Sequence, residues 1–292
     1  MHTTYLEAKR SVDDRSLHPR LWERFLTEAE DIVTGSDRAV GPSEPLRIVE
    51  LGAGSGTMVD RLRDWHAFPR LTADGTRALH YDAWEYNRET AIHLQKRIDA
   101  SPEIGSGQVF VGDISDAGRT DSGGLEPYDV VIAHAVLDLF SPTELPGVLN
   151  RFLRRGGILY GTIIFDGVTI LEPILETDLD EAILNAYHRT MTGGFARRHI
   201  PALIDANYTV LDTAASDWII TPHPGEARDD EVVLITTVLE MLERSVGELI
   251  QQDPDCGVTR EHLDHWLNYR RQQARAGTLL FAAHQFDVVA RR

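Results

Sequence analysis

Three glycines stand between an apolar segment and a segment with helical periodicity in "RIVELGAGSGTMVDRL", residues Arg47 to Leu62. Glycine adopts positive φ readily and lets the backbone approach a ligand closely, and a helix N-terminus presents unpaired N–H groups. The spacing of Gly52, Gly54 and Gly56 therefore predicts either a ligand-binding loop or a plain tight turn between a strand and a helix.

Two common nucleotide-binding motifs do not fit this loop. Thr57 stands where the dinucleotide fingerprint G-x-G-x-x-G has its third glycine, and no Lys-Ser or Lys-Thr pair follows, as a P-loop requires. Glu50, two residues before Gly52, would repel a pyrophosphate but can serve a cationic ligand, directly or through water. The loop is therefore predicted to bind something other than NAD or ATP.

The elements that must position this loop alternate regularly. Strands are predicted at "LRIVEL", "ALHYDAW", "GQVFVGD", "YDVVIAHAVL" and "ILYGTIIF", with helical patterns between most of them. Such alternation is typical of a mostly parallel sheet with helices on both faces. Ser141, Pro142 and Glu144 predict a capping box with proline at the first helical position of the last of these helices.

The rest of the chain is mainly helical. Helices are predicted at residues 17–34, in an acidic segment that begins near residue 170, at "HIPALIDANY", and over 232–252 and 259–276. A polar break, "GSDRAVGPSEP", follows the first of them, and the pair Gly193–Gly194 follows the acidic one. "TVLDTAASDWII" and "TLLFAAHQFDVVARR" are predicted strands. We expect an N-terminal helical segment, 1–44, and an α/β domain, 45–292, with helical insertions at about 167–199 and 229–277.

Composition limits the classes of partner. Forty-six acidic and 29 basic residues among 292 give a formal charge of −17, which disfavours nucleic acid and anionic membrane surfaces. The single cysteine, Cys256, forms no internal disulfide, and His262 and His265 lack a third metal ligand, so no metal site is predicted. The N-terminus has no apolar signal core, and we expect a cytoplasmic protein. A homodimer is left open.

At this point the sequence resembles a known family. "VELGAGSG" is similar to the first motif of the class I S-adenosylmethionine-dependent methyltransferases. The resemblance implies a doubly wound, Rossmann-like seven-stranded sheet that closes with an antiparallel pair of strands. It also implies that Glu50, Gly52, Ala53, Gly54 and Gly56 pass beneath the methionine and ribose parts of the cofactor.

Three further cofactor positions follow from the ends of the next strands, where a doubly wound sheet binds its ligand. Glu85, before Asn87, matches the family's ribose-binding acid, although Asp82 is a rival for that role. Asp113 and Ile114 match the adenine site, and His134 lies near the methionine portion. The resemblance to this family covers roughly residues 45–165 and the last strands, but little of the helical remainder.

The acceptor is less well defined than the cofactor. Both helical insertions are expected to form a lid over a small-molecule site, or else to be surface helices. Catalytic residues are unknown, with His188 and His134 as candidates for a base. The remaining candidates for lining the acceptor pocket are Asp166, Tyr187, Asp217 and Trp218.

The leading hypothesis is a methyltransferase that moves the methyl group of S-adenosylmethionine to a small molecule and leaves S-adenosylhomocysteine. One alternative is an aminopropyltransferase-like enzyme that uses decarboxylated S-adenosylmethionine, but only Asp138 stands where that class has paired aspartates. The other is a non-catalytic binding subunit with the same fold.

Overall fold

The computed structural model describes residues 2–35, 44–117, 126–191 and 195–292. Most of the polar break after residue 34, and the pair Gly193–Gly194, lie outside those residues. The strands are β1 (Leu46–Leu51), β2 (Leu79–Glu85), β3 (Ile104–Ser106), β4 (Val109–Val111), β5 (Tyr128–His134), β6 (Leu153–Glu172), β7 (Thr209–Ala215), β8 (Trp218–Ile220) and β9 (Leu280–Arg291).

The helices fall between and around these strands. They are α1 (His2–Ser16), α2 (Pro19–Thr34), α3 (Thr57–Asp64), α4 (Phe68–Leu71), α5 (Arg88–Asp99), α6 (Leu145–Phe152), α7 (Thr177–Arg189), α8 (Ala196–Asp205), α9 (Asp229–Gln252) and α10 (Arg260–Ala276). None of the helices in the described ranges has the length and apolar composition needed to cross a membrane.

The strands form one mostly parallel sheet. Its main path has the order β3-β2-β1-β5-β6-β9-β7, with β4 beside β2 and β8 beside β9. β1 pairs in parallel with β2 and β5, and β5 pairs in parallel with β6. β7 and β8 run antiparallel to β9. The predicted doubly wound α/β fold, with seven strands on its main path and an antiparallel last pair, is confirmed.

Alternating side chains of the central strands build two separate cores. Ile48 and Ile132 belong to one apolar cluster, whereas Val49 and Val131 belong to the other. Successive strand residues point to opposite faces of a sheet. Burial of nearly every position of β1 and β5 therefore indicates a sheet covered on both faces, which fixes the strand ends that carry the site.

The capping box before α6 is present, but its proline does not begin the helix. The Ser141 N–H donates to a Glu144 carboxylate oxygen at 3.1 Å, and the Glu144 N–H donates to Ser141 Oγ at 3.3 Å. Residues 142–144 form a turn, and α6 begins only at Leu145, with Pro146 in its first turn. Pro142 was therefore placed wrongly at the first helical position.

Two predicted elements need correction. β6 continues as a strand to Glu172, so residues 167–172 are not helical, and the acidic helix begins only at Thr177. "TVLDTAASDWII" forms two strands, β7 and β8, rather than one. The N-terminal helix α1 and the short strand β3 were not predicted.

The chain divides into two compact units. The sheet unit comprises Leu17–Ile164, Gly194–Ser216 and Phe286–Arg292, and the helical unit comprises Met1–Ser16, Phe165–Gly193 and Asp217–Gln285. This division differs from the predicted boundary near residue 45, because α2 belongs to the sheet unit. Its Phe25 stacks on Tyr160 of β6 with ring centroids 4.5 Å apart.

Candidate functional site

The glycine loop joins the end of β1 to the start of α3. Gly52, Gly54 and Gly56 all have positive φ, at 65°, 55° and 91°. A Cβ atom on Gly52 would lie 2.8 Å from a methyl carbon of Val136, and one on Gly56 would lie 2.9 Å from a methyl carbon of Leu94. Both the backbone conformation and the close packing therefore require glycine at these two positions.

Glu85 makes hydrogen bonds to three places: the glycine loop, the turn after β2 and the turn after β4. Its Oε2 accepts a hydrogen bond of 2.9 Å from the Gly54 N–H, and its Oε1 accepts one of 2.8 Å from the Asn87 N–H. Its backbone carbonyl accepts a third bond, of 3.1 Å, from the N–H of Gly112. The carboxylate at the end of β2 therefore lies beside the glycine loop, and Gly112 brings the turn after β4 to the same place.

Asp113 and Ile114 follow Gly112 directly. Asp113 is exposed, and its Oδ1 accepts a hydrogen bond of 2.7 Å from the Ser115 N–H, which caps a short 3₁₀ turn. Ile114 is buried in the apolar cluster that contains Val49 and Leu51. The structure thus brings the predicted adenine-site residues close to Glu85, and it also gives Asp113 a turn-forming role.

Glu50 lies beneath the loop and is almost fully buried. Its Oε2 accepts a hydrogen bond of 2.6 Å from the Tyr81 hydroxyl. Burial raises the pKa of Glu50 to about 8, although the hydrogen bond from Tyr81 and the charge of Arg61 both act to lower it. Glu50 is therefore largely protonated at pH 7, which differs from the carboxylate that the sequence suggested.

Sequence reasoning missed a buried arginine at this position. The Arg61 side chain is fully buried, and its Nη1 lies 3.4 Å from Nε2 of His134 and 3.4 Å from Oγ1 of Thr57. The other ring nitrogen of His134 lies 2.8 Å from Oγ1 of Thr162. The sequence gives no signal for this role, because Arg61 and His134 are 73 residues apart in the chain.

Asp82, the rival for the ribose role, lies away from the end of β2. Its carboxylate accepts hydrogen bonds from the Tyr128 hydroxyl at 2.7 Å and from the Gln108 N–H at 3.0 Å, and His80 lies 2.8 Å away. Because Asp82 is occupied by these partners three residues before Glu85, the geometry favours Glu85 as the acid beside the glycine loop.

The remaining candidates belong to the helical unit, where two of them surround a histidine that sequence reasoning missed. Asp217 Oδ1 lies 2.7 Å from Nδ1 of His284, and Asp166 Oδ2 lies 3.9 Å from its Nε2. Asp166 is buried, and the His284 side chain is half-buried. Only the folded chain could reveal this group, because His284 is more than 60 residues from its nearer partner in sequence.

The other three candidates lie in different surroundings. His188 Nε2 is 3.1 Å from Oγ1 of Thr169, and burial lowers the pKa of His188. Tyr187 is half-buried and its ring lies beside that of His188. The indole N–H of Trp218 donates to Asp13 at 2.9 Å, so this tryptophan is used in packing within its unit. Across the described residues there is no group of three or more side chains suited to holding a metal ion.

Comparisons with known proteins give matches among solved structures only. No family model and no curated protein matches the chain. A candidate methyltransferase from Bacillus halodurans aligns at 12% identity over 91% of this chain and 97% of its own, with a TM-score of 0.48. An S-adenosylmethionine-dependent methyltransferase from Thiobacillus denitrificans, solved with S-adenosylhomocysteine, aligns at 13% identity over 95% and 93%, with a TM-score of 0.43. A cyclopropane synthase from Mycobacterium tuberculosis aligns at 10% identity over 88% and 82%, with a TM-score of 0.40.

The fold class of this chain follows from its own topology. A sheet ordered β3-β2-β1-β5-β6-β9-β7, with an antiparallel last pair and a glycine loop after β1, is the arrangement that the sequence resemblance implied. S-adenosylmethionine is the cofactor of that family. The chain therefore resembles the class I S-adenosylmethionine-dependent methyltransferases and has their fold.

Proposed function

We propose that this chain is an S-adenosylmethionine-dependent methyltransferase that transfers a methyl group by direct displacement to a small-molecule acceptor and releases S-adenosylhomocysteine. The observation that carries the proposal is the hydrogen bond from the Gly54 N–H to Glu85, which joins the glycine loop to the acid at the end of β2. This acid and loop together suit a nucleoside whose ribose diol needs a carboxylate partner.

The chemistry of the residues fits this cofactor. Each oxygen of Glu85 accepts one backbone N–H, and a carboxylate oxygen has a second lone pair with which to accept a ribose hydroxyl. The buried Ile114 and the exposed Asp113 suit the apolar face and the amino group of an adenine. The glycines at 52 and 56 pack closely against Val136 and Leu94, which holds the loop in one conformation beside Glu85.

The residues of the loop act by binding and orientation. S-adenosylmethionine supplies an electrophilic sulfonium methyl group, so positioning the acceptor in line accounts for much of the rate. Glu85 holds the ribose, and Gly52, Ala53, Gly54 and Gly56 follow the ribose and methionine parts. Arg61 and Thr162 fix the ring of His134 at the end of β5, beneath the methionine part.

The preference for a small acceptor rests on charge. A net charge of −17 repels the phosphate backbone of nucleic acids, and nothing in the sequence overrides it with a basic tract. Asp166 and Asp217 stay predictions for lining the acceptor pocket. The lid stays a prediction from the sequence, as do the homodimer and the cytoplasmic location.

Methyl transfer can be measured without knowing the acceptor. The protein is incubated with methyl-labelled S-adenosylmethionine and a cell extract separated into small-molecule, protein and nucleic-acid fractions. We expect label in the small-molecule fraction together with S-adenosylhomocysteine, and much less of both with Glu85→Gln. Label found in protein or nucleic acid instead would overturn the choice of acceptor. The same assay with decarboxylated S-adenosylmethionine that is labelled in its aminopropyl group tests the aminopropyltransferase alternative.

A further inference from the structure

A serine, a histidine and an aspartate form a hydrogen-bonded line between the first half of β2 and the end of β3. Ser106 Oγ lies 2.8 Å from Nδ1 of His80, and Nε2 of the same ring lies 2.8 Å from Oδ2 of Asp82. His80 and Asp82 are two residues apart on β2 and therefore share one face of the sheet, and Ser106 pairs with His80 across the two strands. The proposed cofactor site uses none of these three residues.

The surroundings of Asp82 fix the direction of the hydrogen bonds. Burial raises the pKa of the Asp82 carboxyl, but the hydrogen bonds from His80 and Tyr128 lower it. The lowering is the larger effect, so the pKa of Asp82 lies below its usual value. Asp82 is thus a carboxylate that accepts the Nε2–H of His80. In a neutral imidazole the other nitrogen, Nδ1, then has a free lone pair, and it accepts the hydroxyl proton of Ser106.

Exposure increases along the line from aspartate to serine. Asp82 is buried, the His80 side chain is 19% exposed, and Ser106 is exposed to solvent. Gly105 and Gly107 flank the serine, and a Cβ atom on Gly107 would meet the carbonyl oxygen of Tyr81 at 1.9 Å. The serine hydroxyl is therefore presented on a strand held close to β2, with no bulky side chain on either neighbour.

The line is also separate from the glycine loop. His80 is the second residue of β2 and Glu85 is the last. Five residues of extended chain span about 16 Å. The two groups therefore lie at opposite ends of the same strand, and each can be altered while the other stays intact.

We propose that Ser106 is a nucleophile that accepts acyl groups, with His80 as its general base and Asp82 as the residue that positions the imidazole. An aspartate, a histidine and a serine in this order are recognised by geometry and role rather than by fold or sequence position. Here Nδ1 of His80 faces the serine and Nε2 faces the aspartate, which is the reverse of the common arrangement. The chemistry is unchanged, because each nitrogen still has one partner.

The reaction is the transfer of an acyl group from a small carboxylic ester. Ser106 Oγ attacks the ester carbonyl, and its proton moves to Nδ1 of His80. The new bond between Oγ and the carbonyl carbon forms as the bond from that carbon to the alkoxy oxygen breaks. His80 returns the proton to the departing alkoxide, which leaves as an alcohol, and water later releases the acid by the same two steps.

The probe is 4-nitrophenyl acetate, whose good leaving group reduces the need for stabilisation of the oxyanion. The 292-residue chain is used with Cys256 blocked by iodoacetamide, so that the single thiol does not react. The variants are Ser106→Ala, which alters an exposed side chain, and His80→Gln, which keeps hydrogen bonding but is not a base. Ser11→Ala is the matched control, because the exposed Ser11 donates to the carboxylate of Asp230 instead of to an imidazole.

Nitrophenolate release is followed by absorbance, and mass spectrometry with fragmentation locates the acetyl group. We expect acetylation at Ser106 in the parent and in Ser11→Ala, none in Ser106→Ala, and a rate at least about a hundredfold lower in His80→Gln. Release at the parent rate from Ser106→Ala would overturn the proposal, as would acetylation of His80→Gln at the parent rate. Thermal unfolding of each variant confirms that it is folded.

Discussion

The hydroxyl of Tyr81 donates a hydrogen bond of 2.6 Å to Oε2 of Glu50, directly beneath the glycine loop. Both groups are buried, and burial raises the pKa of Glu50 to about 8 and the pKa of Tyr81 well above its usual range. One proton on each group at pH 7 explains how a carboxyl group remains in the apolar surroundings of β1 without a full charge.

Glu50 makes the stability of the protein depend on pH. The folded protein binds the Glu50 proton more tightly than the unfolded chain does, so this contribution is fully present below pH 4.5 and is lost as pH rises to about 8. The loss is on the order of 4 kcal/mol. We expect Glu50→Gln, which keeps an acceptor for Tyr81, to remove this part of the pH dependence of the free energy of unfolding. Urea denaturation of the parent and of Glu50→Gln from pH 5 to pH 9 measures this dependence. If the free energies of unfolding of the two proteins change with pH in parallel, the prediction is contradicted.

Gly52 should not tolerate a side chain, because a Cβ atom there would lie too close to Val136. Gly52→Ala forces a Cβ atom to 2.8 Å from Val136 at a φ of 65°, whereas Gly75→Ala has φ of 79° with no atom within 4 Å. Gly75→Ala therefore measures the backbone strain alone. We expect Gly52→Ala to unfold at lower urea concentration, with a loss about 1–3 kcal/mol larger than that of Gly75→Ala. Equal losses in the two variants would show that the contact with Val136 does not matter.

A buried ion pair should stabilise the helical unit. Asp180 of α7 accepts hydrogen bonds from the indole of Trp266, at 2.6 Å, and from the fully buried guanidinium of Arg270. Asp180→Asn leaves that guanidinium buried beside a neutral amide, which costs about 3 kcal/mol. Asp178→Asn, at an exposed position of the same helix, is the control and should cost less than about 1 kcal/mol. Denaturation of both variants measures their free energies of unfolding, and equal values would contradict a stabilising role of the ion pair.

The sequence predicted the elements whose pattern is local. The apolar runs of β1 and β5, the three glycines and the helix after them follow from residue types and short spacings, and so does the capping box of Ser141 and Glu144. The long strand β6 was missed beyond residue 166 because "VTILEPILE" has apolar residues at a spacing that also suits a helix. Helix α1 was missed because its polar sequence has little amphipathic pattern.

The sequence named candidate site residues but could not give the contacts between them. Glu50, Glu85 and Asp113 could be named because they lie at or near the carboxyl ends of strands. Arg61, Tyr81 and His284 could not, because each acquires its role only from a partner that is distant in the sequence. The line from Ser106 to Asp82 depends in the same way on the pairing of β2 with β3, a strand of three residues without a sequence signal.

The binding of S-adenosylhomocysteine tests the central claim most directly. Calorimetric titrations of the parent protein, Glu85→Gln and Glu89→Gln compare this ligand with S-adenosylmethionine and NAD. Glu89 is exposed two residues beyond Asn87 and is the matched control. We expect micromolar binding of the two sulfur compounds, no binding of NAD, and at least about tenfold weaker binding with Glu85→Gln alone, because one charge-assisted acceptor is lost. Absence of binding to the parent, or equal binding by all three proteins, would contradict the account.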